Sequence, residues 1–198
     1  MQKEIKKIQP IYKKMFSCYG RQGWWPIINQ KTLAGEYNGG PKNDDERFEV
    51  CIGAVLTQNT SWTSVEKALI NLKKLNAIAP KKILEIDEKV LKNAIKPAGY
   101  FNQKAKKLKI FSEFYLKLEG RTPNRNELLN IWGVGPETAD SILLYAYNTP
   151  IFVVDAYSKR IFSRLGFFKE GAGYDEVQSF FHNHLKKDGK VFNEFHAL

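Results

Sequence analysis

The sequence predicts an all-α protein, because apolar residues recur at helical spacing along most of the chain and scarcely alternate as in strands. Of its 198 residues, 43% are hydrophobic and 26% charged, which is typical of a globular protein and excludes a disordered tail or a fibrous repeat. The only β-branched run, residues 151–154, is too short to form a sheet. Breaks rich in glycine and proline separate the helical segments, at residues 35–43, 97–99, 120–124, 133–136 and 166–173.

An N-terminal helix is expected to be joined to the main helical body by a flexible connection. Gly39, Gly40 and Pro41 lie in this connection, residues 35–43, and these residue types interrupt regular structure.

Two longer helices are predicted in the middle of the chain. In the first, apolar residues recur through residues 65–75, and Thr63 with Glu66 matches a capping box at its start. In the second, they recur through residues 108–118, and Asn102 is the expected cap.

Residues 124–147 read NRNELLNIWGVGPETADSILLYAY and predict two helices joined by a tight turn. Gly133 and Gly135 allow positive φ and close approach of the backbone. Pro136 suits the first position of the second helix, where its missing N–H costs nothing, and Val134 is expected to pack onto the core. The free amides of such a hairpin could hold a phosphate, although an ordinary helical corner remains an alternative.

The C-terminal part of the chain predicts two further helices. Asp155 follows the apolar run and precedes a helical pattern at residues 157–165, so it is a good N-cap. Apolar residues keep helical spacing from Val191 to the last residue, with no stop signal after them. We therefore expect the natural chain to continue beyond Leu198.

The charge balance favours a polyanionic partner. Lys and Arg number 31 against 21 Asp and Glu, a net charge of +10, and neutralising phosphates releases counterions. A basic but indifferent surface is the alternative. No apolar stretch is long enough to cross a bilayer, and residues 1–10 lack a signal core, so a cytoplasmic protein that binds no membrane is expected.

Four motifs resemble, in the same order, the helix-hairpin-helix DNA glycosylases of the endonuclease III superfamily. They are LTQNT at residues 56–60, IKPAGYFNQKA at 95–105, IWGVGPETAD at 131–140 and VVD at 153–155. The resemblance implies a two-lobed all-α fold. A helical barrel lobe would span residues 48–150 and contain the helix-hairpin-helix at about 124–147, and residues 1–47 with 151–198 would form the second lobe. It also implies a monomer that acts on double-stranded DNA in the cytoplasm, at the nucleoid.

The resemblance assigns the catalytic role to Asp155. Breaking an N-glycosidic bond builds positive charge on the sugar, which a carboxylate stabilises while it orients the attacking water. Family members that also cut the strand carry a lysine two residues after the second hairpin glycine, and its amine forms a Schiff base. Glu137 stands there, which predicts a monofunctional glycosylase. An endonuclease III-like lyase with another amine and a non-catalytic DNA-binding module remain alternatives.

Aromatic residues indicate the substrate. Trp24, Trp25 and Trp62 are expected to border the base pocket with Glu137, and electron-rich rings bind cationic bases best. Alkylated purines such as 3-methyladenine are cationic. The same residues, with the QNT at 58–60, resemble the 3-methyladenine glycosylase III branch. The alternative is that these tryptophans are core anchors.

The remaining expectations concern DNA contacts. Gln58 and Asn59 fall where the family inserts a side chain into the gap left by the flipped base; which of them does so stays open, and either could instead cap the next helix. Lys104 and Lys107 are expected on a solvated face close to phosphate. The hairpin residues expected at the phosphate are Gly133, Val134, Gly135 and Thr138.

No cofactor is predicted. Cys18 and Cys51 cannot supply the four-cysteine cluster loop of many endonuclease III relatives. Either this branch lacks that loop or it lies beyond Leu198. No metal site is predicted from the histidines, but the hairpin carbonyls could hold a monovalent cation.

Overall fold

The computed structural model describes residues 2–198, with side chains from Ile8 onward, and its helices confirm the predicted all-α class. A 3-10 turn at Lys96–Ala98 precedes α6, and a π-helical turn at Ile142–Ala146 continues α8. In this part of the chain no helix is both long and apolar enough to span a membrane. The helices are α1 (Gln2–Tyr19), α2 (Asp44–Leu56), α3 (Trp62–Lys74), α4 (Pro80–Glu85), α5 (Glu88–Ile95), α6 (Phe101–Lys117), α7 (Arg125–Leu129), α8 (Pro136–Ser141), α9 (Ala156–Arg164), α10 (Tyr174–His184) and α11 (Gly189–Ala197).

A short antiparallel hairpin, which the sequence did not predict, lies between α1 and α2. Its strands are β1 (Ile27–Ile28) and β2 (Gly35–Glu36). The Ile28 N–H donates to the Glu49 carboxylate of α2 at 2.6 Å, which bonds the hairpin to the core. The connection expected to be flexible therefore contains regular structure, and strands of two residues are too short to show an alternating pattern.

Helix α2 is the centre of the core. Every residue from 48 to 56 is buried, and α3, α6, α8 and the π-helical turn pack against it. A helix that is apolar on all sides must be enclosed in this way. One continuous core runs from Ile8 of α1 to Phe195 of α11. The two-lobe division at residues 48–150 stays a prediction, because packing is continuous across it.

Two predicted helix caps are wrong. Helix α3 begins at Trp62, so Thr63 and Glu66 form no capping box. Helix α6 begins at Phe101, so Asn102 lies inside its first turn. In both helices the first residue is an aromatic side chain packed against the core, and this tertiary contact overrides the local capping pattern.

The structure has the helix–turn–helix that residues 124–147 predict. Gly133 has φ of 83°, a backbone conformation that favours glycine, and a Cβ there would displace the side chain of Lys107, 2.5 Å away. Pro136 takes the first turn of α8. Val134 is 8% exposed and packs into the core, as expected.

Candidate active site

Asp155 is the N-cap of α9. Its Oδ1 accepts a hydrogen bond of 2.7 Å from the Ser158 N–H, which confirms the capping interpretation. The residue follows the buried run at 152–154, and its own side chain is 26% exposed. Because no hydrogen bond from the described residues reaches Oδ2, the carboxylate is held in place by one oxygen while the other stays available.

Glu137 lies in the first turn of α8, within electrostatic range of Asp155. Burial by the surrounding protein and the negative charge of Asp155 raise the pKa of Glu137, and Lys159 opposes this shift. The Glu137 side chain nevertheless keeps an exposed surface. The hairpin and the start of α9 thus place two carboxylates and one ammonium group within electrostatic range of one another.

A cavity of about 530 Å³ opens beside the glycine hairpin. Segments distant in the sequence supply its walls: the end of α2 with the residues after it, the hairpin with α8, and single residues of α6 and α10. The structure therefore brings together the residues predicted for base-gap insertion, for phosphate binding and for the reaction type. Among its lining residues are Gln58, Asn59, Lys107, Gly133, Gly135 and Glu137.

Trp24, Trp25 and Trp62 form one aromatic cluster. Their ring centroids are 4.9 to 5.2 Å apart and the rings are steeply inclined to one another. Trp25 is 3% exposed and packs against Gly53, as a core anchor does. Trp24 and Trp62 are half-buried. The indole N–H groups of Trp25 and Trp62 are buried without an acceptor in the described residues, although buried tryptophans usually have one.

Gln58 and Asn59 have different surroundings. The Gln58 amide donates to the Gly133 carbonyl and to the Thr138 hydroxyl, both at 2.9 Å, and its oxygen accepts from the Lys107 ammonium group. Asn59 is exposed and has φ of 53°, a conformation that asparagine adopts more readily than most residues. Gln58 therefore ties the end of α2 to the hairpin, whereas the Asn59 side chain has no such bonds.

The structure corrects the expectation that Lys104 and Lys107 lie on a solvated face. Lys104 is 2% exposed and donates to the carbonyls of Leu56 and Ala98 at 2.9 and 2.7 Å, which lie at the ends of helical segments and need donors. Burial, together with the charge of Lys107, lowers the pKa of Lys104 to about 8. Lys107 lies half-buried against the hairpin.

Thr138, predicted to bind phosphate, is also turned inward, at 6% exposure. Its hydroxyl is bonded to Gln58, so its backbone N–H is the donor that remains for a phosphate.

A monovalent cation at the hairpin would bind carbonyl oxygens that already accept hydrogen bonds. The Ile131 carbonyl accepts from the Val134 N–H, and the Gly133 carbonyl accepts from Gln58, so each offers only its second lone pair. A monovalent cation at the hairpin stays a prediction. Within residues 2–198, no group of three or more His, Cys, Asp or Glu residues is placed to hold a metal.

A buried polar network, which the sequence did not predict, supports the site. Asp140 of α8 accepts from Arg125 at 2.7 and 3.1 Å and from Tyr174 and Gln178 at 2.7 Å each. Gln178 also donates to the Phe152 carbonyl at 2.7 Å. The sequence signal was an aspartate two residues before the apolar stretch at 142–146. The network joins the hairpin to the run that leads to the catalytic candidate.

Comparison with known proteins identifies the family. Residues 52–187 match the family described as HhH-GPD superfamily base excision DNA repair protein. A Methanocaldococcus jannaschii protein named "Putative DNA repair glycosylase" is 45% identical over 206 residues, which cover 98% of this chain and 86% of that protein. Endonuclease III of Sulfolobus acidocaldarius is 29% identical over 180 residues, covering 86% of this chain and 78% of the relative.

Solved structures agree with this match. The 3-methyladenine DNA glycosylase of H. pylori, bound to 1,N6-ethenoadenine, superposes with a TM-score of 0.76 at 29% identity, over 98% of this chain and 94% of that one. A trapped endonuclease III–DNA covalent intermediate superposes with a TM-score of 0.77 at 21% identity, over 98% of this chain and 84% of that one. This similarity supports the fold. The chain therefore belongs to the HhH-GPD superfamily of base excision DNA repair proteins and is a DNA glycosylase of the endonuclease III type.

Proposed function

We propose that this protein is a monofunctional glycosylase that flips damaged bases out of double-stranded DNA and removes them by hydrolysis, with alkylated purines of the 3-methyladenine type as substrates. One observation carries the proposal. Asp155 is fixed at the start of α9 by its cap, and its charge acts on Glu137, which stands where a strand-cutting relative would hold its lysine.

Hydrolysis needs a carboxylate and water but no amine. The C1′–N bond breaks, the base leaves with the electron pair, and positive charge develops on the sugar. The Asp155 carboxylate stabilises that charge, and a water molecule adds its oxygen to C1′ and releases a proton to Asp155 or to solvent. Because Glu137 cannot form a Schiff base, the reaction removes the base and leaves the DNA strand intact.

The aromatic cluster favours a cationic base. Trp24 and Trp62 keep part of their surfaces exposed, and their electron-rich rings attract a positive charge through cation–π contacts. A cationic alkylated purine leaves as a neutral base, so it needs no general acid. The H. pylori relative, a 3-methyladenine glycosylase bound to 1,N6-ethenoadenine, supports the same substrate class here.

Binding of duplex DNA is favoured by a basic groove of about 630 Å³ along α9. Helix α9 begins directly after Asp155, and Lys159 on its first turns acts on the pKa of Glu137. A DNA strand that leaves the base pocket would meet this groove, and we expect the protein to act as a monomer at the nucleoid. The charged residues that line the groove are Lys159, Arg160, Arg164, Lys169 and Glu170.

A second candidate is a glycosylase with AP-lyase activity on oxidised bases. It is favoured by the amine of Lys107, which lines the same cavity as Glu137 and whose pKa burial lowers, so that more of it is neutral and nucleophilic. Lys159, whose charge acts on the pKa of Glu137, is a second candidate amine.

A single-turnover assay separates the candidates. Duplexes would carry 3-methyladenine, 7-methylguanine, thymine glycol or 8-oxoguanine, each analysed with and without hot alkali. We expect release of the alkylated bases and strand breaks only after alkali. Strand breaks without alkali, or an adduct trapped by borohydride, would refute the monofunctional assignment, and loss of the adduct in Lys107→Ala or Lys159→Ala would identify the amine. Release of oxidised bases alone would overturn the substrate class.

The assay also tests whether the protein is an enzyme rather than a DNA-binding module. Asp155→Asn should lower the rate constant by about 100-fold or more while DNA affinity changes little. An unchanged rate constant would refute the catalytic role of Asp155.

A further inference from the structure

We infer that His196 of α11 is a positioning residue for Asp155, with its imidazole in the Nε2–H tautomer between that carboxylate and the Tyr145 hydroxyl; the inference rests on the proposed catalytic role of Asp155. His196 Nε2 lies 4.0 Å from Asp155 Oδ1. On the other side of the ring, Nδ1 lies 2.6 Å from the Tyr145 hydroxyl. Neither residue was predicted to have a role from the sequence, and neither takes part in the proposed hydrolysis.

The burial of Nε2 requires an explanation. The His196 side chain is 16% exposed, but its Nε2 atom is buried and has no hydrogen-bond partner among the described residues. Buried polar atoms without a partner destabilise a fold and are uncommon. The charged group that this nitrogen faces is the Asp155 carboxylate.

Electrostatics selects the protonation state of the ring. A proton on Nε2 directs an N–H dipole at the Asp155 carboxylate, whereas a bare Nε2 would direct its lone pair there and be repelled. Nδ1 then accepts from the Tyr145 O–H. Burial lowers the pKa of His196, with Asp155 acting in the opposite direction, and burial raises the pKa of Tyr145. The ring is therefore neutral near pH 7, and the phenol keeps its proton to donate.

This arrangement restrains one oxygen of the carboxylate. Ser158 donates to Oδ1 at 2.7 Å, and the His196 Nε2–H faces the same oxygen. The separation of 4.0 Å is too long for a hydrogen bond, so the imidazole orients the carboxylate through its dipole and leaves Oδ2 for the sugar and water. Tyr145 also packs 5.3 Å from the Trp25 ring, which connects this support to the aromatic cluster.

The first test observes the tautomer in the free protein, without any reaction. Nitrogen-15 NMR of the imidazole should show the neutral Nε2–H form of His196 at pH 7, and Asp155→Asn should weaken that preference. The groups that face the ring are the Tyr145 hydroxyl, the Asp155 carboxylate and the Phe152 ring. An Nδ1–H tautomer or an imidazolium at pH 7 would overturn the inference, whatever the enzymatic activity is.

The second test compares variants in single turnover. His196→Leu removes both ring nitrogens, His196→Gln keeps an N–H donor near Nε2, and Tyr145→Phe removes only the hydroxyl. We expect the rate constant to fall by about tenfold in His196→Leu and less in Tyr145→Phe, with DNA affinity unchanged and most of the rate recovered in His196→Gln. Equal losses in the Leu and Gln variants would overturn the inference. If His196→Leu does not fold, Tyr145→Phe and the NMR spectrum decide.

Discussion

Gln178 and Asp140 are joined by a buried hydrogen bond of 2.7 Å, and the same amide group donates to the Phe152 carbonyl at 2.7 Å. Helix α10 thereby connects the second helix of the hairpin to the run that ends at Asp155. The Asp140 carboxylate is fully buried and all its donors come from side chains, so a single residue holds together three segments. Such a network stabilises a fold only when every member is satisfied.

Replacing Asp140 should therefore be costly. Asp140→Ala removes an acceptor shared by Arg125, Tyr174 and Gln178 and should lower the free energy of unfolding by about 3 kcal/mol, measured by urea denaturation. Asp175→Asn is the matched control. Asp175 is exposed and lies 3.8 Å from Arg125, so its replacement should change stability by less than about 0.5 kcal/mol. Equal losses in the two variants would show that the buried network is not what Asp140 contributes.

Several helices could be predicted because their signals are local. Apolar spacing placed α3, α6 and α9, and the glycines and proline of residues 131–136 placed the turn between α7 and α8. The Asp155 cap also followed from its immediate neighbours. Where tertiary contacts compete with local signals, prediction failed, as at the expected caps Thr63 and Asn102.

The supporting contacts of the site could not be predicted. Lysine usually lies at the surface, but the carbonyls of Leu56 and Ala98 hold the Lys104 ammonium group in the core. Nothing near His196 in the chain indicates that it faces Asp155. Gln58 and Asn59 are adjacent amides of similar chemistry, and only the folded hairpin distinguishes them.

Asn59 is predicted to be the residue that enters the gap left by the flipped base. Asn59→Gly should reduce the single-turnover rate constant by about tenfold or more, because an empty gap no longer opposes return of the base. The melting temperature should be unchanged, since the side chain is exposed. Asn59→Ala adds about 1 kcal/mol of strain at its positive φ, so the glycine variant is the cleaner test.

Gln58→Ala is the matched comparison. It removes partners from the Gly133 carbonyl, Thr138 and Lys107, and should cost about 1 to 2 kcal/mol of stability and weaken DNA binding through the hairpin. If Gln58→Ala lowered only the single-turnover rate constant while Asn59→Gly lowered only the stability, the roles of Gln58 and Asn59 would be reversed.

The basic groove along α9 should contribute to DNA affinity through phosphates. Exchanging both Arg160 and Arg164 for glutamine should weaken binding of undamaged and damaged duplexes alike. The plot of log affinity against log salt should become shallower by about 2, because two fewer phosphates are neutralised. Removing two exposed lysines elsewhere, Lys81 and Lys89, should leave the slope unchanged. The same loss of slope in both pairs would indicate a general charge effect rather than a groove.

Glu49 should make stability depend on pH through the segment that carries Trp24 and Trp25. Its carboxylate is fully buried between the Ile28 N–H and the Lys73 ammonium group at 2.6 and 2.7 Å.

Burial raises the pKa of Glu49 despite these two partners, so the folded protein binds the proton more tightly than the unfolded chain does. The contribution of Glu49 to stability is therefore full below its unfolded pKa and is lost as the pH rises through the folded pKa. In Glu49→Gln, which has no such proton, the free energy of unfolding should increase relative to that of the wild type from about pH 4 to pH 7. Urea denaturation across this range measures it, with the exposed Glu85→Gln as a control whose curve stays parallel to the wild type. If the free energy of unfolding of the wild type instead rose relative to that of Glu49→Gln as the pH increased, the attraction of Lys73 would outweigh the effect of burial on the Glu49 pKa.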